Sequence, residues 1–188
     1  MGLLKEGINE VIATTAFNAA PIGIHLREGS ARMVLFTGTH TAQNIVRDGW
    51  VVANFVYDPV LYVKTAFGDL SRDAFVDELV NGKRMCRLAG AEAWSAFSAK
   101  VERVTGEAMN VSLVPEKENV EDVFVHPINR GFNSIIDATV HATRYAMNRD
   151  PELKNRIDYH AGIVRKCGGK KELAALGMLM GYIGERGD

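Results

Sequence analysis

Met33-Val34-Leu35-Phe36, Thr37-Gly38-Thr39-His40-Thr41-Ala42-Gln43-Asn44 and Trp50-Val51-Val52-Ala53-Asn54-Phe55-Val56 follow one another closely, and the reading of the middle piece decides the fold. The two outer runs are apolar, of strand length and rich in β-branched and aromatic residues. The middle piece reads as a turn leading into a short helix. With Thr41 as cap, Ala42 to Asp48 as helix and Gly49 as a left-handed stop, the order is strand, turn, helix, strand. Free N–H groups and the positive dipole end then face the turn that holds Thr39 and His40, where an anion would be stabilised. Gly38 permits close backbone approach, and the hydroxyls of Thr37, Thr39 and Thr41 fall on one side if the segment is extended. The same residues also suit an ordinary capped surface turn, so both readings stay open at this point.

Punctuation up to about residue 115 is that of a β-rich domain. Val11 to Thr15 and Ile22 to Leu26 read as a hairpin around Asn18-Ala19-Ala20-Pro21, and Arg27-Glu28-Gly29-Ser30 as the turn into the next strand. Asp58-Pro59 marks a turn before Leu61 to Phe67. Ser71 to Val80, ending at Asn81-Gly82, reads as a short capped helix with Phe75, Val76, Leu79 and Val80 on one face. Phe97, Ala99 and Val101, then Met109, Val111 and Leu113, alternate with polar residues as half-buried antiparallel strands do. Hairpin-linked strands favour an antiparallel barrel over a parallel sheet, and no GxGxxG or GxxxxGK[ST] sequence supports a parallel nucleotide-binding fold.

From Asn129 the period becomes helical. Ile135, Ile136, Thr139, Val140, Thr143, Ala146 and Met147 form an apolar stripe, Asp150-Pro151 starts a second helix that Gly168-Gly169 ends, and a last helix spans Lys170 to Ile183. Gly177 and Gly181 there suggest close helix packing. Pro115 to Asp122 is the best candidate linker, which divides the chain into a barrel domain, 1–125, and a helical C-terminal region, 126–188. The predicted class is α+β.

Composition bounds the function. Of 188 residues, 47% are hydrophobic and 24% charged, ordinary values for a globular domain, and the formal net charge of −1 gives no reason to expect nucleic acid or anionic lipid as partner. Residues 126–188 carry 10 Lys+Arg against 7 Asp+Glu, a mildly basic segment after an acidic one. Cys86 and Cys167 have neither metal-type nor redox spacing and read as reduced thiols. With no signal-peptide h-region and no membrane-length apolar run, a cytoplasmic location is expected.

The succession Ala13-Thr14-Thr15, Asn18-Ala19-Ala20-Pro21-Ile22-Gly23, Gly38-Thr39-His40-Thr41-Ala42-Gln43-Asn44, Val51 to Phe55 and Asp58-Pro59 resembles the FMN-binding split-barrel family of unknown function found mainly in archaea and some bacteria. That family is similar to the flavin reductases and, more distantly, to the pyridoxamine phosphate oxidases. Asn129-Arg130-Gly131, Asp137 to Arg144 and Cys167-Gly168-Gly169-Lys170-Lys171-Glu172 resemble its helical C-terminal region, so the match covers nearly the whole chain. The resemblance implies an antiparallel split β-barrel that binds FMN, with the phosphate near Thr39, Thr41 and Asn44; His40 is a further cofactor-binding candidate, though the role of an ordinary exposed turn histidine explains it equally well. It places the flavin ring against Thr14, Thr15, Pro21, Ile22 and Gly23, with Asn54 nearby, and Asn18 is a further cofactor-binding candidate. The hairpin between Thr15 and Asn18 is shorter than the family's and lacks its Asp-Gly turn. A homodimer is implied as well.

The expected function is that of a flavoprotein oxidoreductase passing hydride or electrons through FMN between small-molecule donors and acceptors. A carrier or sensor without turnover, and an interaction scaffold on a vestigial flavin fold, are the alternatives. Asn129, Arg130 and Arg144 are the substrate-side candidates, expected where the helical region meets the barrel. His141 and Arg144 share a helical face and read as mainly structural. His25, His126 and His160 lack metal-ligand spacing, and no metal is expected. Trp50, Trp94, Phe55 and Phe67 read as core.

Overall fold

The structure, a computed structural model, describes residues 2–185. Its chain forms two compact units, one running to Val56 and resuming over Leu70–Phe124, the other made of Tyr57–Asp69 and the chain from Val125 onward.

The first unit is a closed antiparallel barrel of six strands: β1 (Gly7–Thr15), β2 (Asn18–Arg27), β3 (Ser30–Phe36), β4 (Trp50–Phe55), β7 (Ala93–Thr105) and β8 (Ala108–Val120), ordered β1-β2-β3-β8-β7-β4. A separate two-stranded ribbon pairs β5 (Phe75–Val80) with β6 (Lys83–Leu88). The expected α+β antiparallel barrel followed by helices is therefore the observed fold. In β3 the alternation is clean, with Ala31, Met33 and Leu35 turned inward and Arg32, Val34 and Phe36 outward. Val11, Ile24, Met33, Val51, Phe97 and Val111 fill the interior, each stabilising the fold by about 1.5–3 kcal/mol.

Several local readings change. β1 and β2 do form a hairpin, but Val11–Thr15 lies opposite Asn18–Ile22 and Ile22–Leu26 opposite Gly7–Val11, so Asn18–Pro21 lies inside β2 and the turn is only Ala16-Phe17. Both turn residues have positive φ, 41° and 65°, the left-handed pattern of a two-residue hairpin loop and a strained one for non-glycine residues. Ser71–Val80 is not a helix: one 3-10 turn, Arg72–Ala74, leads into β5. Pro115–Asp122 is not a linker but mostly the end of β8, with a register shift opposite Ala96 and Phe97 that accommodates Pro115. Trp50–Ala53 is buried inside the chain between β1 and β7, so no apolar face of β4 is left uncovered.

Helix α1 (His40–Asp48) follows β3, and its Ala42 and Ile45 join the barrel core. Gly49, at φ 69°, stops it as expected. In the second unit α2 (Pro59–Phe67) is a helix capped by Asp58, whose carboxylate accepts from the Val60 and Leu61 N–H groups. The C-terminal helices are α3 (Arg130–Asn148), α4 (Pro151–Cys167) and α5 (Lys170–Glu185). The face of α3 that is buried carries Phe132, Ile135, Ala138, Thr139 and Ala142, while Val140 and Met147 are exposed. Ile135, Ala138 and Ala142 pack with Val63, Ile157, Ala161, Val164 and Leu179. The close backbone approach is at Gly131, where a Cβ would lie 2.6 Å from the Gly168 Cα, whereas a Cβ on Gly177 or Gly181 would meet nothing within 4 Å.

Candidate functional site

The start of α1 differs by two residues from the sequence expectation: Thr39, not Thr41, is the N-cap. Its Oγ1 accepts from the Ala42 N–H at 3.3 Å and donates to the Phe36 carbonyl at 2.8 Å, and its carbonyl receives the Gln43 N–H. By helix geometry the N–H groups of His40 and Thr41 have no partner within the helix and point out of its positive end. His40 and Thr39 are exposed, Asn44 is half-buried and Thr41 is buried.

Two side-chain links tie this helix start to the β1–β2 hairpin. Asn18 Nδ2 donates to Thr41 Oγ1 at 2.9 Å, and Asn44 Nδ2 donates to both the carbonyl and the hydroxyl of Thr15, at 3.1 and 3.2 Å. Six of the residues singled out in the sequence, Thr15, Asn18, Thr39, His40, Thr41 and Asn44, are thus brought together by one hairpin end and one helix end. Pro21, Ile22 and Gly23 continue from Asn18 along β2, all half-buried. Over Gly23 lie the side chains of Ile8 and Glu10, since a Cβ there would meet Ile8 Cγ2 at 3.0 Å and Glu10 Oε1 at 3.3 Å.

Thr14 and Asn54 are placed differently, fully buried with their polar atoms bonded inside the protein. Asn54 Nδ2 donates to the Ile12 carbonyl at 2.8 Å and Thr14 Oγ1 at 3.1 Å, and Asn54 Oδ1 accepts from the Leu88 N–H at 2.8 Å. Thr14 Oγ1 in turn donates to the Cys86 carbonyl at 2.6 Å. These bonds fasten β6 to β1 and β4. Sequence reasoning passed over two neighbours of this network, Phe17 and Cys86. The Phe17 N–H donates to Cys86 Sγ at 3.3 Å, and the Phe17 ring lies under the Arg72 guanidinium, 3.0 Å from its centroid, and edge-on to Phe75. Burial pushes the Cys86 thiol above its ordinary range, so it stays neutral. Ala16, Phe17, Asp48, Trp50, Asp77 and Met85 border a recess of about 230 Å³ here. The signal was the two-residue spacing between Thr15 and Asn18.

In the helical unit, Asn129 is the N-cap of α3, its Oδ1 accepting from the Gly131 N–H at 2.8 Å. Arg130 is the exposed first residue of that helix, and Arg144 is exposed further along it. Burial, then the charges of His160, Arg156 and Arg144, lower the tendency of His141 to protonate. Among the described residues no group of three His, Cys, Asp or Glu is placed to hold a metal ion, and no helix is long and apolar enough to cross a membrane.

Comparison with known proteins adds to this geometry. Residues 9–122 match the model of the protein of unknown function (DUF447) N-terminal domain, and residues 129–181 the DUF447 model that follows it. The chain belongs to the DUF447 family. The crystal structure of the FMN-bound DUF447 protein MM1853 from Methanosarcina mazei is 34% identical, with a TM-score of 0.90 over 95% of this chain and 96% of that one. The uncharacterized protein MJ1453 of Methanocaldococcus jannaschii is 26% identical over 90% of this chain and 95% of its own length. The 2-nitrobenzoate 2-nitroreductase NbaA of Pseudomonas fluorescens, 14% identical with a TM-score of 0.50 over 64% of this chain and 68% of that one, shares the barrel fold. The DUF447 match thus spans both the barrel and the C-terminal helices.

Proposed function

We propose that this DUF447 protein binds FMN and acts as an FMN-dependent oxidoreductase on a small molecule. The observation that carries the reading is the likeness, along nearly the whole chain, to a family member crystallised with FMN. The residues fit such a group on a feature of this structure: a helix start with two outward N–H groups, at His40 and Thr41, locked to a strand hairpin by Asn18 and Asn44. In this reading the His40 and Thr41 N–H groups and the His40 imidazole bind the phosphate. Thr39 holds the helix start as its cap, and Thr41 and Asn44 hold the hairpin against it. Thr15, Asn18, Pro21, Ile22 and Gly23 line the ring, and Thr14 and Asn54 position that hairpin from beneath. Bound FMN would supply the hydride or electron chemistry, while the protein sets orientation and excludes water.

The proposal includes a cytoplasmic homodimer. Val34 and Phe36, apolar residues more than half exposed on β3, support a self-contact. Asn129, Arg130 and Arg144 are proposed to serve substrate rather than FMN. Steady-state reduction assays with small-molecule donors and acceptors test the enzyme reading. We expect Arg130→Ala to lower kcat/KM about tenfold or more, the size of a lost charge-assisted contact, with FMN affinity within about twofold. Unchanged turnover in the folded variant would remove Arg130 from the substrate role, and no turnover by the FMN-loaded wild type with any donor would leave FMN binding alone.

A further inference from the structure

The outer face of β2 continues past the residues assigned to the flavin. Two positions beyond Gly23 is His25 and two beyond that Arg27, and Arg32 of β3 stands directly opposite His25. With Ile8 of β1, which pairs with His25, they border a groove of about 310 Å³ that also includes Glu6. No acidic side chain among the described residues forms an ion pair with His25, Arg27 or Arg32, although Arg47, Arg72, Arg84 and Arg87 all have one. Glu6 Oε1 already accepts the Glu28 N–H at 3.1 Å. Its second carboxylate oxygen is the acceptor left on the rim.

Two guanidinium groups and an imidazole around one concavity suit phosphate oxygens, which arginine binds as a planar fork. A carboxylate at the rim suits the hydroxyls of a ribose. Distance joins the groove to the flavin site: at about 3.4 Å per residue along a strand, His25 lies roughly 7 Å and Arg27 roughly 14 Å from Gly23. Ile8 belongs to both places, since it covers Gly23 and borders the groove. That span is the length of a ribose and a diphosphate attached to a redox ring.

On this basis, and resting on the flavin assignment above, we propose that the His25–Arg27–Arg32 groove binds the ribose-diphosphate arm of the second substrate, a dinucleotide hydride donor whose reacting ring meets the flavin that Pro21–Gly23 line. Arg27 and Arg32 hold the diphosphate, His25 donates to it, and Glu6 accepts from the ribose. The groove sets specificity for the donor. It takes no part in the hydride transfer itself.

Calorimetric titration of the full chain, with and without saturating FMN, using ADP-ribose and inorganic pyrophosphate as probes, tests this. ADP-ribose should bind more tightly than pyrophosphate and weaken as salt is raised. Arg27→Ala with Arg32→Ala should reduce its affinity at least about tenfold, Arg27→Lys with Arg32→Lys should restore part of it, and FMN uptake should be unchanged in both. Equal affinity of wild type and double alanine variant, or no binding of ADP-ribose by the wild type, would overturn the proposal. So would displacement of ADP-ribose by FMN, which would assign the groove to the FMN phosphate, and pyrophosphate binding as tight as ADP-ribose, which would make it a site for free phosphate. Failure of FMN to bind while ADP-ribose still does would overturn the flavin assignment and leave a nucleotide groove without a redox partner.

Discussion

Replacing Thr39 and Thr41 together by valine is expected to weaken FMN binding about 100-fold, the size of one or two lost charge-assisted hydrogen bonds, and riboflavin binding by no more than about threefold. Thr39 Oγ1 is the cap that holds the first turn of α1, and Thr41 Oγ1 is the acceptor that holds Asn18 against it. Without them the His40 and Thr41 N–H groups lose the fixed direction that a phosphate requires. Riboflavin has no phosphate and depends only on the ring contacts of the β1–β2 hairpin. Loss of the cap alone costs about 1 kcal/mol of stability, so circular dichroism should show a folded protein. Parallel flavin titrations by fluorescence quenching read the effect, and an equal loss of FMN and riboflavin would show that the phosphate lies elsewhere.

Asn54→Ala is expected to destabilise the barrel by about 2–4 kcal/mol, because it orphans several buried polar groups at once. The side chain is completely buried, and its amide serves β1 through the Ile12 carbonyl and Thr14 hydroxyl while its oxygen holds the Leu88 N–H of β6. Shrinking it strands that N–H and removes one of the links between ribbon and barrel, leaving the Thr14 hydroxyl bond to the Cys86 carbonyl. Networks of this kind are lost together rather than bond by bond. The midpoint of urea unfolding measures the change, and a loss below about 1 kcal/mol would mean that water or a shifted β6 replaces the amide.

That network also shows why part of the molecule was hidden in the sequence. Phe75, Val76, Leu79 and Val80 are spaced as on one helical face, but Leu79 is exposed, and Asn81-Gly82, with φ of 47° and 79°, is the two-residue turn of the β5–β6 hairpin rather than the end of a helix. Once β5 is read as helix, Thr14 and Asn54 have no third strand to bond, and only the flavin remains as a reason for their polarity. The second half of β8 was obscured by Pro115, which falls at a register shift where its missing N–H costs little, whereas Met109, Val111 and Leu113 read as strand. By contrast the β1–β2 pairing, the barrel class, the helix after β3 with its Gly49 stop, and the Asp150-Pro151 start of α4 were legible, since local periodicity and capping agree there with the tertiary structure. The cluster of Thr15, Asn18, Thr41 and Asn44 was assembled in advance only through family resemblance. The basic groove was not visible at all, because bringing His25 opposite Arg32 depends on a strand register that side-chain types do not state.

Titration of the flavin-free full chain with FMN and with riboflavin tests most directly whether FMN is held by its phosphate at the start of α1. Saturable binding of one FMN per chain is expected, at least about tenfold tighter than riboflavin, the size of a charge-assisted phosphate contact. Equal affinity for the two flavins, or no binding of FMN, would contradict it.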